Sequence, residues 1–366
     1  MFEIIIYILL ILSLIYGFYF LIMASGVFRK KKCEIDNNKK NHFAILIAAR
    51  NEETVIKNLI NSLKKQNYPS NKYDVYVIVN NCTDNTLEVA KNAGAKIIEC
   101  KQKVKSKGEV LKYTFNKLKS NDEIDAYVIF DADNVVHREF LNKMNDSINC
   151  GYEVVQGFRD TKNICDNWLS TSYAILYYLQ SLFINKSRFN FGMSSFLNGT
   201  GFMVKKETID RYGYDPKTIT EDIEYTAICA INGIKIAFNE NAITYDEQVT
   251  DFKSSLKQRK RWSFGAIQCL KNYTGSLIKE GIKNKRFECF DVIIFYFGII
   301  FHVLFTIVSL IGIFYNVFYL NDFNSMDVVI YFIMFLINYF IGVVFRMIVI
   351  KKCNKSIKEN IWGILL

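Results

Sequence analysis

The chain has 366 residues, 51% of them hydrophobic, with 46 Lys+Arg against 36 Asp+Glu and a formal net charge of +10. That length suits one large domain or two ordinary ones. Its apolar residues gather in long blocks at the two ends, and no zinc-finger, homeodomain or RNP-type signature is present. The positive charge is therefore expected to face membrane lipids, with no nucleic acid as partner. Nine scattered cysteines without a C-x-x-C pair argue against a disulfide framework or zinc site and for a reducing compartment. Three histidines leave little material for His-based chemistry.

In chain order, residues 4–28 are uncharged and long enough to cross a bilayer. A cleaved signal is the poorer reading, because Met1-Phe2-Glu3 has no basic n-region and the apolar run is too long. Arg29, Lys30, Lys31 and Lys32 follow at once, which puts the N-terminus outside and the next domain in the cytoplasm. Residues 1–32 thus form a transmembrane helix with its basic flank.

Residues 40–250 read as a cytoplasmic α/β domain. "HFAILIAA" (42–49) is a strand, and Val55, Ile56, Leu59, Ile60 and Leu63 then recur at helical spacing. After Pro69, "YDVYVIV" (73–79) is a second strand. "NTLEVAKNAG" is a helix stopped at Gly94, and "AKIIEC" is a third strand. "SKGEVLKYTFNKL" gives another helix and "AYVIF" (126–130) another strand. This alternation implies a mostly parallel sheet with helices on both faces, and such sheets bind ligands outside the carboxyl ends of their strands.

Residues 251–286 read as interfacial helices, and 287–366 as a C-terminal membrane region with spans near 289–317 and 328–350. Lys283, Lys285 and Arg286 precede the first span, and Lys351, Lys352, Lys355 and Lys358 follow the second. The connecting loop carries Asp322 and Asp327 without Lys or Arg, so every flank agrees on one topology. The ending "ENIWGILL" resembles the start of another apolar segment, either a re-entrant or interfacial helix or the cut end of a longer chain.

Three short patterns could carry chemistry. In "DADN", Asp131 and Asp133 flank one alanine at the end of a predicted strand. Such a triplet can be a solvated turn, but two carboxylates at a ligand crevice repel unless a cation lies between them. Oxygen ligands suit Mg²⁺ or Mn²⁺, which complete their shells with substrate phosphates. In "KTITEDIEY", Thr220, Glu221 and Asp222 can simply start a helix, or hold a general base at the mouth of a site. In "SLKQRKRWSFGAI", Lys257, Arg259, Lys260 and Arg261 suit an anionic leaflet. That reading leaves Gln258 and Trp262 unexplained, whereas arginine suits a diphosphate and an indole face suits a sugar ring.

Taken in order, "AARNEE" (48–53), "QNYPSNKYDVYVIVNNCTDNT" (66–86), "KGEVL" (107–111), "DAD" (131–133), "TED" (220–222) and "QRKRW" (258–262) resemble a known family. It is that of the membrane-bound, inverting family 2 glycosyltransferases. These include cellulose, hyaluronan and poly-N-acetylglucosamine synthases and ceramide glucosyltransferase-like enzymes. The resemblance covers roughly residues 40–270 and implies a GT-A-type nucleotide-sugar-binding domain.

It implies that Ala49, Glu52 and Asn80 lie against the base, and that Lys107 approaches the nucleotide or diphosphate. Asp131 lies near ribose and metal, Asp133 ligates the metal, and Asp222 deprotonates the acceptor. Arg259 and Arg261 hold the diphosphate, while Glu221, Gln258 and Trp262 shape the acceptor site. "FLNGTGFMV" (196–204) resembles the loop beneath the sugar, with Asn198, Gly199 and Thr200 as contacts, although a glycine-rich turn between strands reads equally well. Many members have aspartate where this chain has Asn80, which weakens the expected bond to a uracil N–H.

The expected activity is transfer of a glucose- or N-acetylglucosamine-type sugar from a UDP-sugar to a growing polysaccharide. Single addition to a lipid acceptor is the alternative, and a non-catalytic nucleotide-sugar-binding scaffold is the third reading. The expected setting is a bacterial-type plasma membrane, with room for further membrane subunits or a homo-oligomer.

Overall fold

A computed structural model describes residues 2–31, 39–104, 106–319 and 325–366. Lys32, Cys33 and Asp322 lie outside the described residues. The N-terminal run forms α1 (Phe2–Ser25). The α/β domain begins with β1 (Phe43–Ala49), α2 (Ile56–Leu63), β2 (Tyr73–Val79), α3 (Thr86–Asn92) and β3 (Lys96–Glu99). It continues through α4 (Lys107–Leu118), β4 (Ala126–Asp131), β5 (Val135–Val136), α5 (Phe140–Asn149) and β6 (Val154–Thr161).

Next come α6 (Trp168–Leu179), a π-helical turn (Gln180–Lys186) and α7 (Ser187–Asn190), then β7 (Phe202–Lys205) and α8 (Lys206–Tyr212). The domain closes with α9 (Glu221–Asn232) and β8 (Ile236–Asp246). Four helices follow: α10 (Phe252–Lys283), α11 (Phe287–Tyr319), α12 (Ser325–Lys352) and α13 (Ile361–Leu365).

The eight strands lie in the order β3-β2-β1-β4-β7-β6-β8-β5. Side chains alternate between faces because successive residues of a strand point oppositely. Phe43, Ile45 and Ile47 pack with α2 and α5, while Ala44 and Leu46 pack with α4 and α9. β3, β2, β1 and β4 are parallel, as their helical crossovers require.

The expectation of a mostly parallel sheet needs correction beyond β4. β7 runs antiparallel to both β4 and β6, and β5 runs antiparallel to β8, so the sheet is mixed. The physical reason is the long excursion through α6, the π turn and α7, which returns the chain to β4 from the opposite end.

The terminal helices match the predicted apolar runs in position. Residues 11–28 have a mean hydropathy of 2.0, enough in length and composition to cross a bilayer. α11 and α12 are 33 and 28 residues long. α1 meets α11 and α7 at a fully buried ion pair. The Arg188 Nε and Nη2 donate to the Asp291 carboxylate at 2.8 and 3.0 Å, and the Tyr19 hydroxyl donates to the same group. Arg188 is inaccessible to solvent, so its charge is tolerable only because this pairing is bidentate.

The C-terminal residues fold back onto α6. Lys355 reaches Asp160 at 3.0 Å, and the close approach of α13 leaves Trp362 and Leu366 exposed beside α6. Seven described cysteines are free thiols, whereas Cys150 is disulfide-bonded, which departs from the fully reduced set expected from the spacing.

Candidate active site

β4 ends at Asp131, and the backbone then turns through Ala132, Asp133 and Asn134 into β5. That turn is fixed from beneath. The Asp131 N–H donates to Thr200 Oγ1 at 3.0 Å and to Asn134 Oδ1 at 3.1 Å, and the Thr200 hydroxyl donates to Asn134. Both aspartates line a cleft of about 560 Å³. So do Glu52, Lys107, Asn198, Gly199, Glu221, Asp222, Gln258, Arg261 and Trp262. Residues scattered over more than 200 positions of sequence are thus brought to one concavity, at the carboxyl end of the parallel strands, as the topology demands.

Lys107, the first residue of α4, is the hub. Its ammonium donates to Asp131 Oδ1 at 2.5 Å and to the Gly199 carbonyl at 2.7 Å, and lies 3.9 Å from Glu221. Burial opposes the charge, but Asp131 and Glu221 outweigh it and hold the ammonium above its ordinary range. Gly199 adopts φ +88°, and a Cβ there would lie 3.3 Å from Asp222 Oδ2. Glycine is therefore needed both for the left-handed backbone and for the approach of that carboxylate.

Burial pushes Glu221 up to about 7, with Lys107 opposing and Asp222 adding to the rise. Asp222 is also raised by burial, against the α9 backbone N–H groups, Lys107 and Arg159. A carboxylate with a raised affinity for protons at a helix N-terminus has the properties of a general base. Thr220 does start α9, but its side chain makes no capping bond, so the ordinary helix-start reading of T-E-D is incomplete.

Asp133 is pushed up to about 7, first by burial and then by Asp246 and Asp131, against Arg159 and Lys162. A cation bound between these carboxylates would offset that repulsion. Asp246 does not share in holding it. It accepts from Arg159 at 2.8 Å, from Asn134 at 3.0 Å and from Gln248 at 3.1 Å, and these bonds use both its oxygens. Among the described residues no group of three or more His, Cys, Asp or Glu side chains could hold a metal. Two aspartates with substrate phosphates fit an oxygen-ligated divalent ion that keeps some waters, and do not fit an all-protein cage.

Several predicted contacts stand elsewhere. Thr200 spends its hydroxyl on the β4 turn, and its place under the site is structural. Arg259 lies outside the cleft, its guanidinium 5.0 Å over the Tyr173 ring, so Arg261 alone of the pair faces inward. Ala49 is buried at the end of β1, and Ala48 lines the cleft instead. Asn80 is buried with its amide committed. Its oxygen accepts from Arg50 at 2.9 Å, and its nitrogen donates to the Cys100 and Gln102 carbonyls. The oxygen expected to accept from a uracil N–H is thus already in use by Arg50.

Two polar groups are conspicuous. Both amide atoms of Asn198 and the Oε1 of Gln258 are buried without a partner among the described residues. Unpaired buried polar atoms are costly, and in a cleft they mark where a ligand supplies the missing bonds.

Arg159, Tyr177 and Asp246 were not singled out by the sequence reading. Arg159 pairs with Asp246, donates to the Asn198 carbonyl at 2.8 Å and lies 3.8 Å over the Tyr177 ring. Its one sequence signal is a lone arginine within the strand "VVQGFRDT". Trp262 meets Tyr173 and Tyr177 edge-on at 5.9 and 6.3 Å, forming an aromatic wall.

Comparison with known proteins places these features. The chain is similar to a probable glycosyltransferase, YdaM, of Bacillus subtilis, at 24% identity over 283 residues, or 70% of this chain and 64% of that one. It is equally similar, at 24% over 233 residues, to a beta-monoglucosyldiacylglycerol synthase of Synechocystis, covering 63% of this chain and 48% of the relative. The alignments thus take in about half to two thirds of these relatives' lengths. The fold is shared with the mannosyltransferase PcManGT of Pyrobaculum calidifontis, solved with GDP-Man and Mn²⁺. Its TM-score is 0.55 at 13% identity, over 74% of this chain and 76% of that one. The model of the glycosyltransferase-like family 2 matches residues 40–265, and this protein, with its GT-A-type α/β domain, belongs to that family.

Proposed function

We propose that the protein is a membrane-bound, inverting glycosyltransferase that uses a UDP-sugar of the glucose or N-acetylglucosamine type. One observation carries this reading: a single cleft joins the Asp131–Asp133 pair to the Glu221–Asp222 pair, with Lys107, Arg159 and Arg261 among them. Leaving-group and acceptor chemistry can then act on one anomeric carbon.

In the proposed reaction Asp222 takes the proton of an acceptor hydroxyl. The hydroxyl oxygen bonds to the anomeric carbon on the face opposite the diphosphate, and the bond from that carbon to the phosphate oxygen breaks. The electron pair leaves on the diphosphate, and the configuration inverts with no covalent intermediate. Lys107 and Arg261 stabilise the developing negative charge, and Arg159 holds the Asn198 carbonyl and Asp246 in place. Asp133 and Asp131 would hold Mg²⁺ or Mn²⁺, which when bound neutralises the diphosphate. Gln258 and Trp262 bound the acceptor side, and the free amide of Asn198 awaits sugar hydroxyls.

The domain limits we propose are 1–32 for the N-terminal span and its flank, 40–250 for the catalytic domain, 251–286 for an interfacial segment and 287–366 for the C-terminal membrane region. α1, α11 and α12 would span the membrane, with the N-terminus outside and the catalytic domain in the cytoplasm. Support comes from Arg29, Lys30 and Lys31 after α1, Lys283, Lys285 and Arg286 before α11, and Lys351, Lys352, Lys355 and Lys358 at the end of α12 and beyond. α10 also exposes Phe252, Leu256 and Ile267 alongside Lys253, Lys257 and Lys260, as a helix lying in an anionic interface would.

Of the two acceptors left open by the sequence, a lipid suits the cleft mouth better. Ile219 and Trp262 line the cleft, and α10 separately exposes Phe264 and Ile267, apolar side chains against which an acyl tail could lie. The Synechocystis relative, a beta-monoglucosyldiacylglycerol synthase, agrees in acceptor class.

The test is to incubate detergent-purified protein and Mn²⁺ or Mg²⁺ with a panel of UDP-sugars, with and without diacylglycerol, and to measure UDP release and product size together. A single lipid-sized addition is expected. A ladder of long products would return the reading to polysaccharide synthesis, and no release from any donor would refute both.

A further inference from the structure

The segment that delivers Glu221 and Asp222 is held from outside the cleft. Its three successive backbone N–H groups are all received by side chains. Lys217 N–H donates to both Glu224 oxygens at 2.9 and 2.8 Å, Thr218 N–H donates to Glu224 Oε2 at 2.7 Å, and Ile219 N–H donates to Gln268 Oε1 at 3.1 Å. The Tyr273 hydroxyl donates to Glu224 Oε1 and closes the arrangement onto α10. Thr220, which makes no cap of its own, is wedged against Gly265 of the same helix. A Cβ at Gly265 would lie only 2.1 Å from its Oγ1.

Glu224 is inaccessible to solvent, is not part of the cleft lining, and makes no ion pair among the described residues. A buried carboxylate held only by neutral donors is costly to place unless every oxygen is bonded, which it is here. It therefore resists displacement and fixes whatever it grips. What it grips is the backbone four and five residues before Asp222, and what grips it in turn is α10, the helix that brings Gln258, Arg261 and Trp262 into the cleft.

Resting on the transferase reading above, we propose that Glu224 and Tyr273 form a positioning strut that registers the base Asp222 against the α10 side of the cleft. The strut touches neither donor nor acceptor. Its effect is to hold one carboxylate at the distance from which it can take the acceptor proton, and displacement of such a group by about 1 Å can cost about 100-fold in rate.

The strut is tested by steady-state kinetics of full-length Glu224→Gln and Tyr273→Phe, each checked for folding by thermal unfolding. Glutamine keeps at most one oxygen for the Lys217 and Thr218 N–H groups, sets its N–H₂ against the Lys217 N–H at the Oε1 position and loses the charge that strengthens these bonds, which loosens the grip. A fall in kcat of about 10- to 100-fold is expected, with the donor KM and the inhibition constant for UDP within about 2-fold. Tyr273→Phe, which removes one hydroxyl and keeps the test open should Glu224→Gln not fold, is expected to lower kcat by about 3- to 10-fold. In an Asp222→Asn background Glu224→Gln should change the residual rate by less than about 2-fold, because the strut acts through that carboxylate.

Folded variants with wild-type kcat, an equal loss without Asp222, or a loss confined to KM would each overturn the strut and leave the transferase reading standing. Absence of turnover by wild type on every nucleotide sugar would overturn both.

Discussion

Asp222→Asn is expected to lower kcat by about 10²- to 10⁴-fold while UDP-sugar affinity stays within a few-fold. The basis is position. Asp222 lies against Gly199 at the start of α9, beside Glu221 and near Lys107, whereas the Asp131–Asp133 pair comes from the end of β4 and the turn after it. Asparagine preserves the shape and the backbone bonds but cannot accept a proton.

The pH dependence of the wild type gives a second reading of the same group. Burial raises both carboxyls of the pair, with Glu221 pushed up to about 7. A base must be ionised to act, so turnover should fall as pH is lowered and the raised Asp222 carboxyl, linked to Glu221, takes up a proton at a higher pH than an ordinary carboxylate would. The kcat–pH profile and equilibrium binding of UDP-sugar check both points. Turnover of Asp222→Asn within a few-fold of wild type would remove the residue from the mechanism.

The second large effect is expected at the cation seat. Chelation should abolish turnover of wild type, and added Mn²⁺ or Mg²⁺ should restore it, while Asp133→Ala should stay inactive at every metal concentration. Asp133 is the aspartate whose side chain is least committed within the protein, since Asp131 already receives Lys107 and Asp246 is saturated by Arg159, Asn134 and Gln248. Asp246→Asn should behave differently. It leaves the buried Arg159 without its counter-charge and is expected to cost about 3–5 kcal/mol of stability, read by thermal or denaturant unfolding, with no specific loss of metal response.

Much of this arrangement was legible in the residues. The parallel half of the sheet followed from the alternation of short apolar runs with helical spacing between positions 43 and 131, a local signal. The antiparallel half was not legible, because strand direction there depends on how α6, the π turn and α7 carry the chain across the domain. Asp131, Asp133, Lys107 and Asp222 could be named because they stand in short contiguous patterns. Arg159, Asp246 and Glu224 could not, because Arg159 and Asp246 lie 87 residues apart, Glu224 and Tyr273 lie 49 apart, and only the fold brings them together.

Asn80 and Thr200 show the converse. Their residue types suited a ligand, but Arg50 and the β4 turn claim their polar atoms first.

The proposed reaction is direct displacement at the anomeric carbon, governed by one base and one cation seat in the same cleft. The most direct measurement is the anomeric configuration of the product, by proton NMR, from the UDP-α-sugar that supports turnover. A β-linked product is predicted, and an α-linked product would contradict the account.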